Sequence, residues 1–431
     1  MTRHPRRSLV FAILGNAAAP IAAFAAAPIL AQSLGVAGRG EVATGTAPLM
    51  LAASAATLGL PEAITYFAAK QRLASQRRNM VVASMALSAI GIAVSILFFW
   101  IAPALSGGSE HTSALIRLSI LMLVPSLLLV LLRGLAAGRN RWGLIAVERT
   151  FGSIFRLVAV IALAFTGHLD TVSATVTISA SMWVGAAVYI ALIARSRDSL
   201  IAAENHPLEL LHYGSRLWLG SLAGILLARL DQLLVTPLST VSELGLYVTA
   251  VSIAELVLVF NNAVRDVYFA EESRSPDTDR LTSAARVSTL ATLVAAVSIG
   301  IGSYWLLPIL FGEDFGAAYV PLLILLFGIV AGNPGSIAGA GLSGRGYPGL
   351  RSWSLVIAVV INVAAVVILT PALGAVGAAI ATCFGNITAC GFNLFWLRRK
   401  FDISPSSFIF IRRDDLVALR AVIVGILGRR P

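Results

Sequence analysis

The sequence predicts an all-α polytopic membrane protein, with twelve transmembrane helices in two homologous six-helix bundles and with both termini in the cytoplasm. Composition is the first observation: 58% of the residues are hydrophobic and 12% are charged, with a mean hydropathy of +0.86. In a soluble domain, about a quarter of the residues are charged. The second observation is a series of apolar runs of about 20 residues, each long enough to cross ~30 Å of hydrocarbon. The third is an internal repeat.

The apolar runs occupy most of the 431 residues and leave no room for a soluble domain. The predicted spans are residues 8–33, 42–69, 79–105, 113–136, 142–166, 170–194, 213–239, 244–270, 284–310, 318–342, 350–371 and 374–397.

The basic residues support this count. When the N-terminus is placed in the cytoplasm, the outward loops contain only one arginine, Arg39, while the inward segments and the tail contain 25 Lys and Arg, among them Arg133, Arg286 and Arg345. Because Lys and Arg accumulate in cytoplasmic loops, this asymmetry predicts twelve crossings with both ends inside. The net charge of +11 therefore reflects anchoring against anionic lipid, and we predict no nucleic-acid partner.

The two halves of the chain resemble each other. "WIAPALSGG" (100–108) aligns with "WLLPILFGE" (305–313) at an offset of 205 residues, and Gly40 falls on Gly245 at the same offset. Because six helices return the chain to its starting side, the halves share one orientation, which is a transporter architecture with the substrate path between the halves. We predict lobes at 1–200 and 201–400, followed by a basic cytoplasmic tail at 401–431.

Several segments resemble a known family. "LFGEDFGAAYVPLLILLFG", "GAGLSGRGYPG" and "NVAAVVILTPALGAVGAAIATCFGN" are similar to second-half signatures of the polysaccharide flippases of the multidrug/oligosaccharidyl-lipid/polysaccharide (MOP) exporter superfamily, and "LARLDQLLVTPLSTVSELGLYVTA" to their seventh helix. "LGVAGRGEVA" and "LGLPEAITYFAAK" resemble the family's first loop and second helix. The resemblance covers essentially the whole chain and implies a MATE-like fold.

The resemblance also implies a function. Such flippases move undecaprenyl-diphosphate-linked oligosaccharides across the bacterial inner membrane, from the cytoplasmic to the outer face, for O-antigen or exopolysaccharide assembly. The implied partners are the lipid-linked oligosaccharide, membrane lipids, and polysaccharide polymerase and chain-length machinery. No enzymatic activity and no cofactor are expected.

One predicted span carries charge. In "VERTFGSIFRLVAVIALAF" (147–165), Arg149, Ser153 and Arg156 share one helix face, because residues seven apart return to nearly the same direction. Arginine inside a membrane faces protein or water, and it binds diphosphate oxygens in bidentate fashion. Arg149 either contacts substrate or pairs with Glu62, which lies at matched depth. Arg156 has no acid at matched depth within its half, so it is the better candidate for substrate binding.

The second half also contains intramembrane charges. Arg229 and Glu255 lie at matched depth and form a candidate gating ion pair between helices seven and eight, with Asp231 and Asn262 as further gating or ion-coupling candidates. A static polar network explains these residues equally well. Arg117, near the outer end of helix four, either contacts the diphosphate on exit or reaches toward the interface.

Other functions are less well supported by the sequence. "GAGLSG" (339–344) matches G-x-G-x-x-G but closes a membrane helix, and no G-x-x-x-x-G-K-[ST] loop occurs. Cys383 and Cys390 lie seven residues apart in one span, which excludes a disulfide between them and leaves too few ligands for a metal site. The alternative function is cation-coupled export of drugs or metabolites, which the same superfamily includes. A cavity lined by arginines would repel cationic drugs.

Overall fold

The computed structural model describes residues 5–69, 73–189, 207–410 and 415. Over these residues the chain is helical and has no strand. The helices are α1 (Pro5–Ala55), α2 (Leu60–Ala69), α3 (Leu73–Leu105), α4 (Glu110–Ile120), α5 (Leu123–Gly138), α6 (Trp142–Phe165), α7 (Thr171–Ala186), α8 (Pro207–Leu238), α9 (Val241–Arg274), α10 (Thr278–Phe311), α11 (Tyr319–Gly344), α12 (Pro348–Phe401) and α13 (Ser406–Ile409).

These helices correspond to the twelve predicted crossings. Nine helical stretches of the described chain are long and apolar enough to cross a membrane. Two of them contain a break, at Gly35 (φ 68°) in α1 and Gly374 (φ 53°) in α12, which is a left-handed conformation that glycine adopts without steric cost. Each of these two stretches therefore supplies two crossings, so the nine stretches account for eleven crossings. The charged helix α6 brings the count to twelve. The predicted fold class is confirmed, while the side on which the termini lie stays a prediction.

The chain divides into two compact units. The first comprises Met1–Val248 with Leu310–Asp314, and the second comprises Thr249–Ile309 with Phe315–Pro431. Helix α8 thus belongs to the first unit, where the indole N–H of Trp218 donates to the carbonyl oxygen of Ala55 at 2.8 Å. The lobes predicted at 1–200 and 201–400 differ from these units in the placement of α8 and stay a prediction.

Small residues position α6 in the first unit. A Cβ atom at Gly152 would lie 3.0 Å from the carbonyl oxygen of Ser181, and one at Gly185 would lie 2.6 Å from that of Glu148. Only glycine therefore allows α6 and α7 to approach this closely at Gly185. Further along α6, Val160 is fully buried in a cluster with residues of α1 and α7. The two contacts fix which side of α6 faces its neighbours.

Two buried ion pairs lie among the described residues of the second unit. Arg345 Nε donates to Glu272 Oε2 at 2.9 Å, and Arg286 Nε donates to Asp415 Oδ2 at 2.6 Å. Arg286 also donates through Nη1 to the carbonyl oxygen of Ser407 at 2.6 Å. These bonds tie the turns between α9 and α10 and between α11 and α12, and they attach the chain after α12 to α10.

Candidate functional site

Helix α6 is amphipathic in the sense opposite to a helix of a soluble protein. Its outer side carries Phe151, Ile154 and Val158, which are 51%, 53% and 57% exposed. The other side carries Arg149 and Arg156, both half-buried, with Ser153 buried between them. An apolar side turned outward and a charged side turned into the unit is the arrangement expected of a helix in lipid.

The predicted face contains few hydrogen-bonding groups besides the two arginines. The Ser153 hydroxyl donates to the carbonyl oxygen of Arg149 at 2.7 Å, so its hydrogen is used within the helix while its lone pairs stay available as acceptors. Arg149 and Arg156 are separated by about 10.5 Å along the helix axis, since each residue rises about 1.5 Å. The face therefore presents two guanidinium groups two turns apart.

A buried ion pair lies beside this face. Glu148 is 2% exposed and accepts two hydrogen bonds of 2.7 Å from Nε and Nη2 of Arg133 on α5. The hydroxyl of the fully buried Tyr189 also donates to Glu148, at 3.4 Å. Arg149 lies within electrostatic reach of both Arg133 and Glu148. The carboxylate of Glu148 is thus held in a bidentate pair with Arg133, and Arg149 lies beside that pair.

The pairing of Arg149 with Glu62 stays a prediction. Glu62 on α2 is exposed, and Glu148 lies within electrostatic reach of Arg149. Arg133 and Glu148 meet across the turn after α5, because they lie at nearly equal distances on either side of it and so at similar depth in an antiparallel helix pair. Charge counting along the chain assigns Arg133 to the cytoplasmic anchors, whereas matching depths across the turn would have identified it as the partner of Glu148.

Arg117 packs against α3. It is half-buried on α4, and its guanidinium carbon lies 4.9 Å from the centre of the Phe99 ring on α3. Phe99 is itself 48% exposed. The stacking of an arginine on an outward-facing aromatic ring is the arrangement expected of a side chain that extends toward the membrane interface. Its proposed contact with substrate stays a prediction.

The acid predicted on α8 is deeply buried. Asp231 is 2% exposed, accepts a hydrogen bond from the backbone N–H of Gln232 at 2.7 Å, and accepts another from the hydroxyl of Tyr247 on α9. Tyr247 is fully buried, and the sequence alone does not mark it as a partner of Asp231. Two helices of the first unit thus share a buried carboxylate and phenol.

The remaining candidates lie on both sides of the division between the units. Arg229 is on α8 in the first unit, whereas Glu255 and Asn262 are on the part of α9 that belongs to the second unit. Arg229 and Glu255 are half-buried and Asn262 is exposed. The predicted ion pair of Arg229 with Glu255 stays a prediction. Among the described side chains, no three His, Cys, Asp or Glu residues are grouped in a way that would hold a metal ion.

Comparison with known sequences gives two findings. A family model described as "Polysaccharide biosynthesis protein" matches residues 6–269, which include the whole α6 face. A probable low-salt glycan biosynthesis flippase, Agl15 of Haloferax volcanii, is 28% identical over 181 residues. That alignment covers 40% of this chain and 38% of the relative, so the chain matches well under two thirds of the relative's length.

Solved structures show the same fold. A lipid II flippase, MurJ, in an inward closed conformation superposes with a TM-score of 0.73, covering 96% of this chain and 92% of that one at 13% identity. A multidrug resistance MATE family transporter of the MOP superfamily, in an inward-facing conformation, gives a TM-score of 0.68 at 15% identity, covering 91% and 98%. At these identities the likeness concerns the fold.

Proposed function

Because this chain belongs to the polysaccharide biosynthesis protein family, we propose that it flips undecaprenyl-diphosphate-linked oligosaccharides from the cytoplasmic to the outer face of a bacterial inner membrane. The glycan would serve O-antigen or exopolysaccharide assembly. The proposed partners are the lipid-linked oligosaccharide, the surrounding lipids, and the polymerase and chain-length machinery that would receive the translocated glycan. The relative from Haloferax volcanii, a probable flippase of glycan biosynthesis, supports a flippase over an enzyme.

One observation carries the proposal: Arg149 and Arg156 lie on the inward-turned side of α6, next to a carboxylate that Arg133 already holds. An inward-turned site with two arginines favours an anion, because a charged side chain within the membrane faces protein or a water-filled path. A diphosphate matches it, because its oxygens accept bidentate hydrogen bonds from guanidinium groups that stay charged at every physiological pH. The same charge disfavours the cationic compounds of a drug exporter.

The two arginines would act in sequence. A diphosphate bound at Arg149 can reach Arg156 after a displacement of about 10.5 Å, which is the rise of seven helical residues. Ser153 lies between them and offers an acceptor to a sugar hydroxyl. Each step exchanges one charge-assisted contact for another, so the head group need not enter the membrane unpaired.

The cycle also requires an element that changes state. We propose Asp231 for this role, because protonation of a buried carboxylate changes its hydrogen bonding with Tyr247 between α8 and α9. Arg229, Glu255, Asn262 and Glu62 are further candidates for gating between lobes 1–200 and 201–400, with alternating access by rocking of the lobes. Charge-neutral variants of Asp231 that translocate normally would exclude it.

The experiment measures the pool of undecaprenyl-diphosphate-linked oligosaccharide, and the membrane face it occupies, in cells that lack the protein. The deletion is complemented with wild type, Arg156→Ala or, as a matched control, Arg399→Ala, which removes an exposed arginine at the end of α12. We expect the intermediate to accumulate on the cytoplasmic face, and wild type and Arg399→Ala to relieve the accumulation. Arg156→Ala at equal expression should not.

The alternative function gives a different result. If no intermediate accumulates and the deletion only sensitises cells to a cationic compound, the protein is an exporter of the same superfamily and the arginines of α6 are structural. Accumulation that Arg156→Ala relieves as well as wild type would keep the flippase assignment but exclude Arg156 as a binding residue.

A further inference from the structure

A third arginine lies at the far end of the α6 face. Arg39 is on α1, four residues after the break at Gly35, and it is half-buried. It lies close enough to Arg156 for the two positive charges to repel each other. The α1 and α6 helices that carry the two residues pack together nearby through Leu30, Val42 and Val160.

The described residues around Arg39 do not compensate its charge. Its Nε is buried and has no hydrogen-bond partner, and among the described residues no carboxylate pairs with it. The nearest acid in sequence, Glu41, is instead in contact with His111, whose Nε2 lies 3.5 Å from Glu41 Oε2. Burial of the Arg39 Nε without an acceptor is costly, and an anion that joins the site would supply one.

We propose that Arg39 and Arg156 together bind a phosphate group, and that this site receives the diphosphate of the lipid-linked substrate after it leaves Arg149. The proposal rests on the flippase function proposed above. Arg39 is the arginine that the charge distribution assigns to an outward loop, so the Arg39–Arg156 site lies toward the predicted outer end of the path. Arg156 then contacts the diphosphate at two successive positions, first together with Arg149 and afterwards together with Arg39.

Two sources of phosphate fit this chemistry. The diphosphate of the carrier supplies two negative phosphate groups on one head, whereas an anionic phospholipid such as phosphatidylglycerol supplies a single phosphodiester. Two guanidinium groups favour the diphosphate, because each can hold its own phosphate through a bidentate contact. The experiment must therefore offer both lipids.

The test uses the full-length protein in phosphatidylcholine nanodiscs, with radiolabelled undecaprenyl diphosphate and radiolabelled phosphatidylglycerol as the probes in separate titrations. The variants are Arg39→Gln, Arg156→Gln, their combination and Arg39→Lys, with Arg399→Gln as the matched control. We expect Arg39→Gln and Arg156→Gln each to weaken the binding of undecaprenyl diphosphate by about tenfold or more, the loss of one charge-assisted contact. The combined loss should fall short of the product of the two, because both residues hold the same head group.

Arg39→Lys, which keeps the charge but loses the bidentate contact, should bind more weakly than wild type and more tightly than Arg39→Gln, whereas Arg399→Gln should bind like wild type. Unchanged elution volume and melting temperature identify a binding defect rather than misfolding. If Arg39→Gln binds both lipids like wild type, the site is overturned.

The two probes separate the remaining outcomes. If Arg39→Gln loses only phosphatidylglycerol, the phosphate site stands with a phospholipid head group as its ligand, and its place in the substrate path is overturned. If wild type does not bind undecaprenyl diphosphate at all, the proposed function fails independently. In that case a loss of phosphatidylglycerol in Arg39→Gln would still support a phosphate site.

Discussion

Gly40 on α1 and Gly245 on α9 lie at the crossing of these two helices, and each glycine packs against the backbone of the other helix. A Cβ atom at Gly40 would overlap the carbonyl oxygen of Val241, and one at Gly245 would overlap that of Val36. In both cases the carbonyl belongs to the residue four positions before the partner glycine, and both pairs are separated by the repeat offset of 205 residues. The two repeat-related segments therefore cross about a local two-fold axis, with backbone against backbone, and the crossing requires glycine on both sides.

Substitution of either glycine should separate the two helices. We expect Gly40→Ala and Gly245→Ala each to destabilise the protein by about 1–3 kcal/mol, the usual cost of overpacking, because the added methyl group meets backbone rather than a flexible side chain. Thermal unfolding in detergent measures the effect. Gly391→Ala is the matched control, since Gly391 is also helical but has open space around its Cβ position. Equal melting temperatures for Gly40→Ala and Gly391→Ala would contradict the crossing.

The sequence predicts the number and position of the helices well because each crossing depends on local apolar length. The charged face of α6 is also predicted from local information, because helical geometry alone determines which residues share a face. What the sequence does not predict is how charges pair across helices. Arg133, Arg286 and Arg345 all look like cytoplasmic anchors when basic residues are counted along the chain, yet each pairs with an acid. Pairing depends on the depth of each charged residue in the membrane and on the rotation of its helix relative to the neighbouring helices. The order of residues along the chain specifies neither.

The placement of α8 illustrates the same limit. A repeat of six helices predicts a boundary near residue 200, but α8 packs with the first unit through glycine, where Gly214 lies against the backbone of Gly59. Thr44 and Thr236 add a hydrogen bond of 2.7 Å between their hydroxyls. The repeat reflects the common origin of the two halves, whereas the packing units reflect the contacts made in one conformation. The repeat boundary and the packing boundary therefore need not fall at the same residue.

Breaking the pair of Arg133 with Glu148 should be strongly destabilising. Arg133→Gln leaves Glu148, which is 2% exposed, as a buried carboxylate without its bidentate partner, and such a loss costs about 3–5 kcal/mol. We expect a large fall in melting temperature for Arg133→Gln and for Glu148→Gln. The combination of both should recover part of it, because two amides can hydrogen-bond to each other without a buried charge.

A double-mutant cycle on melting temperature measures this coupling. The control is Glu41→Gln, which removes the partner of His111 in a contact that is partly exposed to solvent and should cost only about 0–1 kcal/mol. Strictly additive effects of Arg133→Gln and Glu148→Gln would show that the two residues do not stabilise each other.

The chain after α12 should stabilise the second unit through Asp415. This carboxylate is 1% exposed and accepts two hydrogen bonds from Arg286, at 2.6 and 3.1 Å. Asp415→Asn leaves the Arg286 guanidinium buried with a neutral partner, so we expect a loss of about 2–3 kcal/mol, the upper range for bonds to charged groups. Asp402→Asn is the control, because Asp402 is exposed in a left-handed conformation (φ 55°) that asparagine tolerates.

Limited proteolysis provides a second readout for the same pair. If Asp415 holds the segment against α10, Asp415→Asn should be cleaved after α12 faster than Asp402→Asn and wild type. Equal cleavage rates and equal melting temperatures for both variants would show that the contact with Arg286 contributes no stability.

The stability of α7 should depend on acid through Asp170, which caps its first turn outside the membrane span. The backbone N–H of Ser173 donates to Asp170 Oδ1 at 2.7 Å, and this bond lowers the pKa of the carboxyl. Because the pKa is lower in the folded state, the stabilisation is fully present above the unfolded-state value of about 3.9 and disappears as the pH falls through the folded-state pKa. Asp170→Ala should cost about 0.5–2 kcal/mol at neutral pH, and its difference from wild type should shrink below about pH 4.

Asp170→Asn separates the cap from the charge, since asparagine caps a helix about as well but does not titrate. The difference in melting temperature between wild type and Asp170→Asn should therefore change across the same acid range, and a difference that is constant with pH would exclude Asp170 as its source.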